Sequence, residues 1–409
     1  MKHLGDITQI RGSGIEPVDC IAGGSPCQDL SLAGKRAGLA GERSGLFMEQ
    51  IRIIKEMREH ERSAGRTGIM VRPRYMVWEN VPGAFSSRKG KDFAAVLEET
   101  LRIAEPKAPS VPVPENGWPT AGILHDEMGA WSVAWRVHDA QFWGVPQRRR
   151  RIALVADFGG MSAPEILFER KGLPGYLTQG RWMWEASSGC FAPCIVVPNQ
   201  EEPCRDGISY GKLGAGRVRV YEKHQQDSRV KDLGEICCTV TARFGTGGNN
   251  QPICCPESNL TPGESQARRI YSASGIYPSL TSREKAGGDQ TAVLNEAVRR
   301  LTPLECERLQ GYPDGWTDIP DTEVNGKKVR ASDSARYKAL GNSIALPFWT
   351  WMFERMSGYL PHNATLGSLF DGIGGFPLCW ERIHGKRTAR WASEVEPFCI
   401  AVSKRRLGE

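Results

Sequence analysis

Strand-length apolar runs alternate with helical stripes over the first part of this chain, and no other feature limits the fold as tightly. "PVDCIA" (17–22), "RYMVW" (74–78), "SVAWRV" (132–137) and "RIALVA" (151–156) have the length and apolar content of buried strands. Between them Leu46, Ile51, Ile54 and Met57 recur at helical spacing, and Phe93, Val96, Leu97 and Leu101 do so behind Asp92, a residue suited to cap a helix. This alternation predicts an α/β fold with a mainly parallel sheet covered by helices on both faces. With 409 residues, 40% of them hydrophobic, the chain can bury one substantial core and still form a second, smaller domain.

The proline-rich "EPKAPSVPVPENGWP" (105–119) predicts a surface loop. From about 158 to 298 the alternation fails and Gly, Pro, Ser and Thr dominate, which predicts a separate, irregular domain. A faint repeat runs through it: "SRVKDLGEICCTVTARFGTGGNN" (228–250) recurs as "RRIYSASGIYPSLTSREKAGGDQ" (268–290), with Arg243 answering to Arg283. Two such units are too few for a solenoid and predict paired strand and loop elements that display Arg and Thr at a surface. Helical signals return with Thr302 as N-cap, Pro303 at the first helical position, Glu305 completing a capping box and Gly311 past the end. After "KALGNSIALPFWTWMFERM" the stretch "ATLGSLFDGIGGFPLCWERI" predicts a further strand, a glycine turn and a helix, late for a sheet that the earlier runs had filled.

Several short stretches carry side chains suited to chemistry. In "GGSPCQDLS" (23–31) the thiol of Cys27 follows a proline just past a buried strand. In "VWENVPG" a strand ends in Glu79 and Asn80, at the carboxyl edge where parallel sheets bind ligands, although a lone glutamate there is more often solvated. "VPQRRRRI" sets Arg149 and Arg151 on one side of a beginning strand by the two-residue period, offering forked donors to a phosphate or a base carbonyl. "SLFDGIGGF" (368–376) brings backbone close to a ligand, but Pro377 stands where a dinucleotide fingerprint needs its third glycine. Glu394, 22 residues after Gly372, is placed for ribose hydroxyls, so a nucleoside cofactor without a pyrophosphate fits better.

Together "GGSPCQDLS", "WENVPG", "VPQRRRRI", "RRLTPLECERLQGYP", "ALGNSIA" and "LFDGIGGF" resemble, motif by motif, the DNA cytosine-5 methyltransferases. The resemblance covers roughly 1–157 and 299–409, the two parts of a catalytic domain, and leaves 158–298 as the target-recognition segment. It implies a Rossmann-like S-adenosylmethionine-dependent sheet and a flipped-out cytosine in double-stranded DNA as substrate. Cys27 is then the nucleophile that adds to carbon 6, Glu79 contacts the ring N3 and amino group, and Arg151, supported by Arg149, binds the base carbonyl and orders Glu79. Asn80, Gln28 and Ser31 fall on the DNA side, with Gln28 filling the space of the flipped base and the loop 28–45 as a lid. The cofactor side takes Phe370, Asp371, Gly372, Gly374 and Gly375 for the methionine and backbone contacts, Glu394 for the ribose, Asp6 and Ile7 for the adenine, and Pro26, Asn342 and Ser343 for the remaining wall. Arg243 and Arg283 are candidates for base or phosphate contact, with packing as the alternative.

The order of these motifs departs from the family. "FDGIGG" and "SEVEPF" follow "GNS" here, whereas in the family the glycine turn comes first; joining "SKRRLGE" to "MKHLGDIT" restores the family order, so the chain is expected to be circularly permuted with its two ends close together. A net charge of +6 with clumps at 147–152, 266–270 and 403–406 fits a polyanionic partner. No apolar run nears the roughly 18 residues that span a bilayer, and no secretory signal opens the chain. A cytoplasmic monomer without a membrane role is therefore expected, its twelve cysteines mostly free thiols. The cysteines at 190, 194, 204, 237, 238, 254 and 255 include no CxxC pair, so buried or idle thiols and no metal are expected there, with a zinc site as the alternative. A transfer RNA methyltransferase on the same motifs and a silent DNA-binding regulator are the alternatives, and a cognate restriction endonuclease stays open.

Overall fold

The computed structural model describes residues 1–25, 45–168, 218–223, 230–234, 237–242, 251–256, 271–272, 293–294, 299–324 and 326–408. Its main sheet has eight strands: β1 (Lys2–His3), β2 (Cys20–Gly23), β3 (Tyr75–Asn80), β4 (Ala121–His125), β5 (Ser132–Asp139), β6 (Arg150–Asp157), β7 (Leu366–Leu369) and β8 (Ala389–Ser393). They lie in the order β1-β8-β7-β2-β3-β6-β5-β4. From β1 to β3 every neighbour is parallel. Beyond β3 every pairing is antiparallel. The expectation of a mainly parallel sheet thus holds for one side only. The β4–β5 pair turns back through a short connection that needs no crossover helix.

Period two sorts the strand residues between two cores. Met76, Trp78 and Leu154 face α1 (Gly45–Ser63) and α2 (Lys91–Ala104), packing on Ile51, Ile54, Phe93 and Leu97. Tyr75, Val77 and Val155 face the other way, into a cluster with Trp349, Phe353 and Trp380. That layer holds α3 (Ser162–Leu167), α4 (Pro303–Gln310), α5 (Asp333–Asn342), α6 (Leu346–Ser357), α7 (Gly375–His384) and α8 (Pro397–Leu407). Fully enclosed side chains such as Phe93 and Phe353 stabilise the layers by about 1.5–3 kcal/mol each.

The capping signals at 302 are realised: Thr302 Oγ1 accepts from the Glu305 amide at 3.2 Å, Glu305 Oε2 accepts from the Thr302 amide at 2.7 Å, and Gly311 stops α4 at φ 78°. Asp92 is not a cap. It sits inside the first turn of α2, accepting from Ser87, while Gly90 at φ 86° holds the cap position.

In the irregular region Arg299–Arg300, Gln251–Pro256, Val218–Lys223 and Val230–Gly234 form a four-stranded antiparallel sheet in that order, and Tyr271–Ser272 pairs with Val293–Leu294. The strand of the first repeat unit and that of the second thus join different sheets. Arg243 and Arg283 lie outside the described residues. The segment 237–242 runs back to the catalytic layer, where Cys237 bridges Gln147 in a parallel pair. Met1 and Gly408 meet, the Met1 amino group donating to the Gly408 carbonyl at 2.6 Å. Among the described residues no helix is long and apolar enough to cross a membrane.

Candidate active site

The carboxyl ends of β7, β2 and β3 stand side by side, and the chain leaving each contributes a wall of one cleft. A parallel sheet leaves such a crevice outside its strand ends. After β7 the backbone takes positive φ at Phe370 (54°), Gly372 (56°) and Gly374 (81°) before α7 begins at Gly375. A Cβ on Gly372 would meet nothing within 4 Å, whereas one on Gly375 would lie 2.6 Å from the Tyr312 hydroxyl and 2.8 Å from Ile344. The missing side chain at Gly375 therefore lets α4 and α5 close against the turn. The cleft spans about 340 Å³, part of it open to solvent. Phe370, Asp371, Gly372, Gly375 and Phe376 line one side, Tyr312, Asn342, Ser343 and Ile344 a second, and Gly24 and Glu79 the third.

On the turn side Glu394, at the end of β8, accepts from the Gly372 amide at 2.8 Å through one oxygen and from the amides of Val395 (2.7 Å) and Glu396 (2.8 Å) through the other. Asp371 Oδ1 accepts from the Ser368 hydroxyl at 2.6 Å. Burial, with the nearby Glu394 charge adding to it, pushes the Asp371 carboxyl up to about 7. Asp6 and Ile7 follow β1 beyond β8: the Gly5 carbonyl accepts from Ser393 at 2.7 Å, and Asp6 caps the next turn by accepting from the Thr8 amide at 2.9 Å. Neither residue lines the cleft, and the Ile7 side chain is buried in the core.

On the opposite wall Arg151 Nε lies 2.8 Å from Glu79 Oε1, both side chains about six-sevenths enclosed at 15% and 13% exposure. A Cβ on Gly24 would stand 2.9 Å from Glu79 Oε2, so glycine there gives the carboxylate its room. Asn80, one residue on, points to the other face. Its amide approaches the Ser25 carbonyl (3.4 Å) and hydroxyl (3.3 Å), and Trp78 Nε1 donates to the same hydroxyl at 3.1 Å. Asn80 is 1% exposed, which corrects its expected place on the DNA side. It anchors Ser25 instead, the last described residue before Pro26, Cys27, Gln28 and Ser31, which lie outside the described residues together with the loop expected to close as a lid.

Arg149 is also corrected. Its side chain is 1% exposed and donates to the carbonyls of Val240 (3.2 Å), Gly341 (3.1 Å) and Ser343, where the expectation had it supporting Arg151. It ties the "GNS" turn to the 237–242 segment, and a Cβ on Gly341 would collide with the backbone of Thr241 and Ala242. Ser343 is held further by Gln310, to whose Oε1 its hydroxyl donates at 2.5 Å. Tyr312, Ile344, Phe376 and Gly24 were missed as lining residues, although Tyr312 stands in the quoted "LQGYP", where it had served only to mark the end of a helix.

The model of the family described as C-5 cytosine-specific DNA methylase matches residues 1–102 and 219–358, more than half of the chain. The chain belongs to this family. The match to the C-5 cytosine-specific methylases stops short of β7, so the glycine turn lies outside it. A protein of Escherichia phage P1 named a DNA N-6-adenine-methyltransferase is 29% identical over 87% of this chain and 55% of its own length. The orphan methyltransferase M.Rho11sI of Bacillus phage rho11s is 26% identical over 68% of this chain and 57% of its own length. The chain thus spans little more than half of these two phage relatives. The Type II methyltransferase M.HhaI of Haemophilus parahaemolyticus is 23% identical over 84% of this chain and 77% of its own length.

Proposed function

We propose that the chain transfers a methyl group from S-adenosylmethionine to carbon 5 of a flipped-out cytosine within a specific sequence of double-stranded DNA. The observation that carries this reading is the Glu79–Arg151 pair facing the glycine turn across one cleft. A carboxyl held by a guanidinium suits the N3, amino and carbonyl edge of cytosine, and a glycine turn with a carboxylate on its amide suits a nucleoside. The relative from phage P1 carries an adenine activity in its name, but the alignment covers 55% of that protein and does not assign the activity to the shared part. Methylating an exocyclic amine needs no thiol. Methylating carbon 5 does, because that carbon is a poor nucleophile until a thiolate has added to carbon 6.

In this mechanism the base leaves the stack at a cost of a few kcal/mol, roughly, and enters the cleft beside Glu79. The Cys27 thiolate bonds to carbon 6 while Glu79 supplies a proton to N3, offsetting the charge that builds in the ring. Arg151 holds Glu79 and the base carbonyl in register. Phe370 to Gly375 would hold S-adenosylmethionine, with Glu394 toward its ribose, and the bound cofactor would supply an electrophilic methyl group. Loss of the carbon 5 proton to a base then expels Cys27, the N3 proton returns to Glu79, and the aromatic ring is restored. Bisulfite sequencing of DNA from cells that express the chain is expected to show protected cytosines in one sequence context. No protection from a soluble, cofactor-binding protein, or protection confined to RNA, would overturn the DNA reading.

We also read the chain as a circular permutation of the family order. The contact between Met1 and Gly408 supports this, as does β7 lying between β8 and β2 in the sheet. A gene that places 363–409 before Met1 cuts one connection and seals another while each strand keeps its neighbours. Its product is expected to fold, bind S-adenosylmethionine and methylate the same sequence. A soluble, cofactor-binding product with a different target would show that segment order itself shapes recognition.

A further inference from the structure

The segment 237–242 belongs by sequence to the recognition region, yet the structure fastens it to a wall of the cleft. Its first residues are tied to the loop before β6: the Cys237 amide donates to the Pro146 carbonyl at 2.9 Å, the Arg148 amide to the Cys237 carbonyl at 2.9 Å, and the Thr239 hydroxyl to the Arg148 carbonyl at 2.5 Å. Its last residues press on the "GNS" turn, where only a glycine at 341 leaves room for the backbone of Thr241 and Ala242. Arg149 joins the two sides, one guanidinium donating to the Val240 carbonyl of the segment and to the Gly341 and Ser343 carbonyls of the turn. Asn342 and Ser343 of that turn line the cleft.

A buried guanidinium is costly when its N–H groups lose their acceptors, so Arg149 holds its partners together. Backbone packed on backbone at Gly341 has no side-chain rotamer with which to absorb a shift. A displacement of 240–242 is therefore passed on to 341–343, by the contiguous contacts that carry coupling between sites. We propose that Arg149 is a positioning residue that makes the cofactor wall answer to the recognition region: DNA that fixes 237–242 fixes Asn342 and Ser343 as well, so that target sequence and cofactor strengthen each other's binding through it. The inference rests on the DNA and cofactor readings above and adds to them a regulation of the same cleft.

A binding cycle on the full chain tests it, with S-adenosylhomocysteine as the cofactor probe so that no methyl transfer intervenes. One duplex carries the sequence that bisulfite sequencing identifies, and a second has that sequence scrambled. For the wild type, the target duplex is expected to tighten S-adenosylhomocysteine on the order of tenfold, and S-adenosylhomocysteine to tighten the target duplex by the same factor, since coupling is reciprocal. The scrambled duplex is expected to leave the affinity within about twofold. Arg149→Lys keeps the charge but lacks the fork that reaches acceptors on both sides, and is expected to bring the factor for the target duplex down to about twofold or less. Thr239→Val removes the bond to the Arg148 carbonyl from a residue outside the cleft lining and is expected to lower the factor by a smaller amount. A merely structural role would lower the Tm and both separate affinities while leaving the factor intact, and that result would overturn the inference. So would a wild-type factor near one. If Arg149→Lys fails to fold, Thr239→Val decides, and an unchanged factor in that variant refutes the coupling. A wild-type chain that binds no S-adenosylhomocysteine would instead overturn the cofactor reading, and one without preference between the duplexes the DNA reading, each taking this inference with it.

Discussion

Cys27→Ser is expected to abolish methyl transfer, by roughly four orders of magnitude or more, the scale on which removal of an attacking nucleophile falls in other enzymes. Serine is nearly isosteric with cysteine, so binding of DNA and cofactor should persist. What disappears is the thiolate, since a hydroxyl is far harder to deprotonate and a cysteine with a pKa of about 8.5 is within reach of a site that favours its anion. The covalent step has its own signature. DNA carrying 5-fluorocytosine at the target should leave the wild-type chain bound to the base after methyl transfer, because fluorine cannot depart as a proton does, and the serine variant should form no such adduct. An adduct formed equally by Cys27→Ser, or no adduct from a wild-type chain that methylates ordinary DNA, would refute nucleophilic attack by this residue.

The sequence announced elements more readily than their directions. Thr302, Pro303, Glu305 and Gly311 specify α4 through local hydrogen bonds and backbone geometry, and local causes are written in local residues. The four apolar runs likewise became β2, β3, β5 and β6. Direction was not legible, because a fully buried run has the same composition whether its neighbour is parallel or antiparallel. Strand β4 was missed for a different reason: its Gly122 weakens the pattern, and that glycine is required because the indole of Trp135 occupies the space a Cβ would take. In the site, Glu79 could be found by its place at a strand end. The opposite facing of Asn80 follows from the same period of two, yet its partner Ser25 is 55 residues away and unreadable in advance. Arg149 was misjudged because its acceptors at 240, 341 and 343 come from remote segments.

Glu79→Gln is expected to slow methyl transfer by about two to four orders of magnitude, the range for a positioned proton donor. Glutamine keeps the length and polarity of the side chain, so it should still contact the amino edge of the base, but it cannot supply a proton to N3 as Cys27 attacks. The substitution also removes the charge from the 2.8 Å pairing with Arg151, whose side chain is 15% exposed. The glutamine amide oxygen can still accept from the guanidinium, so neither side chain is left without a partner and the protein should remain folded. Two effects are thus superposed, loss of the proton and loosening of Arg151, and Arg151→Lys separates them. Lysine keeps the charge beside Glu79 but lacks the planar fork, so its expected defect is the smaller one and falls on base positioning. Binding to DNA in which the target cytosine is replaced by a fluorescent base analogue reports flipping apart from chemistry. Glu79→Gln should flip the base and fail to turn over, whereas Arg151→Lys should hold the flipped base less firmly. If Glu79→Gln retained a rate within about tenfold of the wild type, general-acid work by Glu79 would be excluded on that same scale, and the carboxylate would be left with the single task of holding Arg151 in the cleft.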